Sequence, residues 1–226
     1  MMPFEPVTLA LLLLWGTVVA LDLVSVPQLL LNRPITAAAI AGWIAGDVGA
    51  GLRVGVILEL FALDVLPVGS ARYPDYGPAA VAAAVAAVNR SAWEVGPAIL
   101  LALLLGSLGA RTLPRLRHAN ARDMRRRLGP DGVADAGALV ALQRGSILRD
   151  AIRGFGLTVT GLVLAVALRE ISLPDRAVTL STAAVVGGGL AAVAGGTLRG
   201  VLHDARLRWL AAGLAVGTLV SLAVAL

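Results

Sequence analysis

Asp47, Glu59 and Asp64 stand in the stretch RPITAAAIAGWIAGDVGAGLRVGVILELFALDVLPVGSARYPD, among Ala, Val, Ile and Leu. An ionisable group at membrane depth costs roughly 2.5–3.5 kcal/mol on insertion scales, so it is rare there unless it faces a partner, a cavity or a ligand. A carboxylate offers about four acceptor sites, and an amide offers donors and acceptors together. Three acids in one such segment predict a polar site inside a membrane protein, and with it transport. Glu59, in an apolar helix, is the first candidate for contact with substrate. Its competing explanation is a structural carboxylate paired with Arg53 or with a helix N-terminus. Asp64 lies off the Glu59 face of an unbroken helix and converges with it only near a helix end. Asp22 and Gln28, in ALDLVSVPQLLL, add polar valence where Pro27 is expected to kink the first helix; interhelical hydrogen bonds explain both equally well.

Other polar residues read as structural. Gly46, Asp47 and Gly51 mark a helix break, with Asp47 as the cap of the helix that follows. Pro67 and Gly69 mark a second interruption. Arg33-Pro34 suits a membrane boundary, since Arg snorkels and Pro starts helices. Arg72, Tyr73 and Asp75 either line a mouth or are ordinary loop polarity. Ser70, Ser91 and Ser107 have no His nearby, and no phosphate-binding loop accompanies the glycines. The chain therefore reads as carrying no catalytic residues of its own. Cys is absent and the two histidines, His118 and His203, lack partners at ligand spacing, so neither a metal nor a cofactor is expected.

The elements that must position these residues are membrane helices. The chain is 58% hydrophobic and 15% charged, with a mean hydropathy of +0.85, well away from the balance of soluble domains. Apolar blocks run over 9–31, 35–63, 95–113, 155–168, 177–198 and 207–226, against the roughly 20 residues a spanning helix needs. The first reads as a membrane helix rather than a signal peptide. The fold class is an all-α, polytopic integral membrane protein with about six to eight membrane helices. Some segments are broken or re-entrant; Ala79 to Val88 is only about half a span. Three regions follow: an N-terminal membrane region with broken helices and the candidate solute site (1–113), an Arg-rich cytoplasmic loop with a pair of short helices (114–150), and C-terminal membrane helices (151–226). All 19 basic residues are Arg. Arg115, Arg117, Arg122, Arg125, Arg126, Arg127, Arg144 and Arg149 crowd the middle interval and place it in the cytoplasm. That face suits anionic lipid or a soluble partner, and membrane orientation alone explains it equally well. Nucleic acid is not an expected partner. The clusters Gly187-Gly188-Gly189 and Gly195-Gly196 read as close helix packing.

The order Arg33, Pro34, Gly42, Gly46, Asp47, Gly51, Gly55, Leu58, Glu59, Leu60, Leu63, Pro67, Val68, Gly69, Pro74, Asp75 resembles the IIC component of the mannose/fructose/sorbose-type sugar phosphotransferase system. His118, Asn120, Gly129, Gly132, Gln143 and Arg153 resemble that family's cytoplasmic region more loosely. The resemblance implies a permease subunit for a hexose-class sugar in the bacterial inner membrane. It implies an IID membrane partner in a multimer, soluble IIA and IIB phosphocarriers that relay phosphate to the sugar, and an elevator-like movement of one domain. This chain is shorter than typical members, and Asp64 and Pro67 stand where the family often has small or polar residues. A proton-coupled secondary transporter using the same acids, and a non-transporting scaffold, are the alternatives.

Overall fold

The structure is a computed structural model in which residues 5–63, 65, 72–127 and 135–199 are described. Asp64, Pro67, Gly69, His203 and the apolar block 207–226 lie outside them. The described residues form seven α-helices and one 3₁₀ turn, with no strand. The protein is a polytopic all-α membrane protein. Helices α5 (Gly96–Arg127), α6 (Ala136–Glu170) and α7 (Asp175–Arg199) provide three helices long and apolar enough to cross a bilayer.

The helices before them are shorter. α1 (Pro6–Leu21) opens on a proline and ends before Asp22. The first apolar block is thus not one helix kinked at Pro27: the Asp22 carboxylate accepts from the backbone N–H groups of Leu29 and Asn32, and these bonds hold 22–33 as a loop. α2 (Pro34–Ile44) and α3 (Val48–Ala62) are joined by Gly46, whose φ of +86° suits a residue without a side chain. Asp47 caps α3 by accepting from Ala50 N–H at 2.8 Å, and its other oxygen accepts from Asn89 N–H at 2.9 Å. The two helices then run back along one another. A Cβ on Gly42 would stand 2.8 Å from Gly51 Cα, and one on Gly55 would stand 2.8 Å from Ile35 Cα. Only small residues permit that approach. With 11 and 15 residues, these helices are about 16 and 22 Å long, each shorter than a 30 Å hydrocarbon core.

α4 (Tyr76–Ala87) has 12 residues, all buried. At about 18 Å it crosses roughly half of a 30 Å hydrocarbon core. It lies in the middle of the molecule, in contact with α1, α2, α3, α5 and α6, and its Ala-rich surface lets five helices approach. Its last carbonyls are not left unpaired, because Arg169 donates to Val85 O at 3.1 Å and Val88 O at 2.9 Å. A 3₁₀ turn at Ala92–Glu94, closed by a Ser91–Glu94 capping box, leads into α5.

The polar interval departs from the sequence reading. It does not hold a separate pair of short helices: α5 continues through Pro114 to Arg127, and α6 begins at Ala136 and runs unbroken to Glu170. Ties between the two extensions explain why both stay helical. Asn120 donates to Ser146 Oγ at 2.6 Å, and Arg149 donates to Asn120 Oδ1 at 2.8 Å and to Asp123 at 2.5 Å. The extensions form a two-helix arm. Leu21, Pro34, Ala62 and Tyr76 mark the helix ends on the arm side; Asp47, Ala87, Gly96 and Asp175 mark those on the opposite side.

Candidate functional site

The arm-side end of the bundle gathers the polar groups. The 22–33 loop carries Leu30 at φ +63°, a left-handed backbone that costs a leucine roughly 1–2 kcal/mol. Asp22 holds that conformation, since its hydrogen bonds to Leu29 N–H (2.7 Å) and Asn32 N–H (3.0 Å) flank the strained residue. Asp22 is 2% exposed. Gln28, on the exposed side of the loop, donates to Leu23 O at 3.3 Å.

From Asn32 a buried chain of polar groups crosses the molecule. The Asn32 amide donates to Val19 O at 2.8 Å and to Asp75 Oδ1 at 3.2 Å. Asp75 Oδ2 accepts from Arg153 at 2.7 Å, and Arg153 Nε donates to Asp150 Oδ1 at 2.7 Å. Ser25 on the loop donates to the other Asp150 oxygen. The side chains of Asp75 and Asp150 are fully buried and that of Arg153 is 8% exposed. A buried charge is tolerable only when paired and hydrogen-bonded. One guanidinium here serves two carboxylates, with one of its terminal nitrogens, Nη2, making no hydrogen bond among the described residues. The chain ties the α1–α2 loop, α4 and α6 together where the arm begins.

Two clefts open beside it and share Leu23 and Tyr73. The larger, of about 370 Å³, is lined by Val24, Ser25, Gln28 and the arm residues Arg117, Asn120 and Ser146, among others. The smaller, of about 60 Å³, is lined by Asn32, Arg33, Pro34, Pro74 and Tyr76 and lies against the N-terminal ends of α2 and α4. Tyr73 is 4% exposed; its hydroxyl accepts from Arg117 at 2.9 Å, and the Arg117 guanidinium sits 5.3 Å from its ring centre. In the polar half of α5, beyond the apolar run, Arg149 and then Arg127 hold the Asp123 carboxyl below its usual range. A third cleft, of about 280 Å³, lies at the opposite end around Arg90, Glu94, Arg169 and Asp175, away from every residue singled out as a substrate contact.

The structure brings Gln28 to the larger cleft and places Asp22 beneath the loop. Glu59 is ion-paired with Arg33 and accepts from Ile35 N–H at 3.2 Å. It therefore sits at the N-terminus of α2, where a negative charge meets the positive end of the helix dipole. Arg53 points the other way, donating to Arg90 O at 2.9 Å. Asp64 lies outside the described residues. Sequence reasoning missed Asn32 and the Asp75–Arg153–Asp150 chain. The signal for part of it was present, since Asp150 and Arg153 lie at i,i+3 spacing just where the apolar part of α6 starts.

Residues 6–199 match the family model described as the phosphotransferase-system sorbose-specific IIC component. A stretch of 74 residues is 34% identical to the sorbose-specific EIIC component of the phosphotransferase system of Lacticaseibacillus casei, covering 33% of this chain and 26% of that relative. The matched segment thus spans about a quarter of the relative's length. Two solved structures share the fold at 18% identity, each covering 98% of this chain and 92% of the other. One is a membrane protein, with a TM-score of 0.63. The other is the mannose transporter ManYZ in complex with microcin E492, with a TM-score of 0.62.

Proposed function

The chain belongs to the family of phosphotransferase-system sorbose-specific IIC components, and we propose that it works as the sugar-binding membrane subunit of such a permease. The observation that carries this reading is the pair of half-helix N-termini, α2 at Pro34 and α4 near Tyr76, lining one cleft together with Asn32. Half-helices ending at mid-depth are how transporters bring backbone dipoles and polar groups to a solute. The adjoining 370 Å³ cleft has the size of a small-molecule site.

In this reading a hexose-class sugar occupies the larger cleft, with the Gln28 amide on its hydroxyls. Glu59 acts through Arg33, which lines the smaller cleft, and Asp22 acts through the loop it braces. Asp64, five residues beyond Glu59 in the sequence, is proposed as a further contact. By the positive-inside rule the Arg-rich arm is cytoplasmic, so the site opens toward the cytoplasm. α1, which packs antiparallel to α6 through Gly16 against Thr158 and Ala20 against Gly154, then begins on the outer side. The sugar receives phosphate from a soluble IIB subunit supplied by IIA, and the charged product cannot return across the bilayer. This chain contributes no catalytic group to that transfer. An IID subunit in the bacterial inner membrane, in an oligomer, completes the permease.

Gln28→Ala tests the site. Loss of one or two hydrogen bonds, each about 0.5–1.5 kcal/mol, should weaken sugar binding about 2–150-fold and leave thermal stability unchanged, because Gln28 is exposed. Unaltered sugar affinity would remove Gln28 from the site. One observation favours a second reading, the proton-coupled transporter: the buried chain holds two carboxylates on one guanidinium. Uptake that persists without a phosphoryl donor and collapses with the proton gradient would establish it instead.

A further inference from the structure

The arm is built so that its polar inner face is satisfied and its basic outer face is not. Asn120, Asp123, Ser146 and Arg149 bond to one another between the helices. Arg115, Arg122, Arg125, Arg126 and Arg144 are exposed and have no salt bridge among the described residues. Apolar side chains stand among them near the tip: Met124 is 48% exposed, Leu139 55% and Val140 46%.

We propose that this arm is the docking surface for a soluble protein that presents an acidic face with an apolar centre. The proposal rests on the permease reading above, in which that protein is the phosphoryl-donating subunit. Charge complementarity sets the sign of the partner's surface. Exposed Met and aliphatic side chains ringed by Arg are the composition of a protein interface rather than of a purely solvated helix. Distance decides against lipid as the occupant. The apolar part of α5 ends near Leu113, so Arg127 stands about 21 Å further along the helix axis. The headgroup layer takes up about 5–8 Å of that length, which leaves the tip more than a Debye length of about 8 Å beyond the anionic surface. Arg125, Arg126 and Arg127, held at the tip by the paired helices, therefore steer a soluble partner rather than bind headgroups, while Arg115, Arg122 and Arg144 stand nearer the membrane and extend the same basic face. Steering by like charges set on one surface raises association rates and makes them salt-dependent.

The test uses the full membrane complex in nanodiscs with the phosphorylated donor subunit of the same system. The variant is Arg122→Glu/Arg125→Glu/Arg126→Glu, and the readouts are sugar phosphorylation and sugar binding. The expected result is a donor KM raised about tenfold or more, equivalent to about 1.4 kcal/mol, with kcat and sugar affinity within about twofold of the parent. The parent's donor KM should rise steeply with salt and the variant's should not. A second variant, Met124→Ser/Val140→Ser, should raise donor KM without changing its salt dependence. An unchanged donor KM in both variants overturns the proposal. So does a charge-reversed chain that loses affinity for anionic vesicles and keeps its donor KM. A parent that binds sugar with no donor-dependent phosphorylation overturns the permease reading, and this proposal with it.

Discussion

Replacing Arg153 with Met is the sharpest test of how the bundle holds its polar interior. Arg153 is 8% exposed at its side chain, and its two carboxylate partners, Asp75 and Asp150, are fully buried. Met keeps most of the volume of the aliphatic stem, so the effect isolates the guanidinium. Removing one partner of a buried ion pair costs about 3–5 kcal/mol, because the remaining charge is left uncompensated. Here one deletion strands two carboxylates and also removes the weak contact to Thr112 Oγ1 at 3.4 Å, so the upper half of that range applies. For a chain of this size about 2–4 °C of melting temperature corresponds to each kcal/mol, which gives a fall of about 8–20 °C. Thermal unfolding in detergent, followed by tryptophan fluorescence and by the loss of monodisperse elution, reads it directly. The companion variant Asp75→Asn/Asp150→Asn/Arg153→Met removes all three charges and keeps hydrogen-bonding amides in place. It should recover most of the loss, since a neutral replacement of a buried ionic cluster is often no less stable than the original. A melting temperature for Arg153→Met within about 2 °C of the parent, less than 1 kcal/mol, would refute the argument. So would a triple variant no more stable than the single one.

Three further outcomes follow from contacts near the site. Gly109→Ala would set a Cβ 2.6 Å from Asp75 Cβ, so α5 must shift away from the α4 N-cap. The expected loss is about 1–3 kcal/mol, measured by thermal unfolding, and no change in melting temperature would contradict the packing. Asp47→Ala removes the α3 cap and the bond from Asn89 N–H; at about 0.5–2 kcal/mol for the cap alone, it should speed amide exchange in the first turn of α3 and leave the arm unaffected. The arm should also respond to acid. Asp123 is held below its ordinary value of 3.8 chiefly by Arg149, so its contribution is present above that value and is lost as pH falls through the lowered one. Spin labels on the outer ends of α5 and α6 should give a narrow distance distribution at neutral pH that broadens only below about pH 3.8; broadening nearer pH 6 would point to another group.

Legibility followed distance along the chain. The turn at Gly46 and Asp47 is written in adjacent residues, because a helix cap is a local contact between Asp47 and Ala50. The half-length of α4 is visible in the run from Ala79 to Val88, bounded by Gly77-Pro78 and Asn89. The arm's charge was legible and its form was not. Pro114 and the change from apolar to basic composition argued for a break, and the ties that hold α5 and α6 helical join residues 26 and 29 positions apart. Asp75 and Arg153 are separated by 78 positions, so no spacing rule could pair them. Pro27 misled for a related reason, since a proline in apolar sequence reads as a kink until a buried acid nearby claims the loop's backbone N–H groups.

The acids of the opening stretch therefore have a physical account that does not begin with substrate. A half-helix that ends inside a membrane protein leaves unpaired N–H groups and a positive dipole end at depth. Glu59 accepts from the first turn of α2 at Ile35, and Asp75 stands at the N-cap of α4. Each then takes an arginine, Arg33 and Arg153 respectively. Glu59 thus serves the α2 N-terminus directly, and Asp75, which makes no side-chain cap bond to α4, serves Asn32 and Arg153, whether or not a sugar is present. It follows that the groups with hydrogen-bonding valence still turned toward the large cleft are mainly neutral, with the Gln28 amide foremost. Glu59→Gln discriminates between the two roles. If Glu59 is first a helix partner, the variant should lower melting temperature and change sugar affinity only through Arg33, by less than Gln28→Ala does. A larger loss of affinity in Glu59→Gln, at unchanged stability, would return Glu59 to direct contact with the sugar.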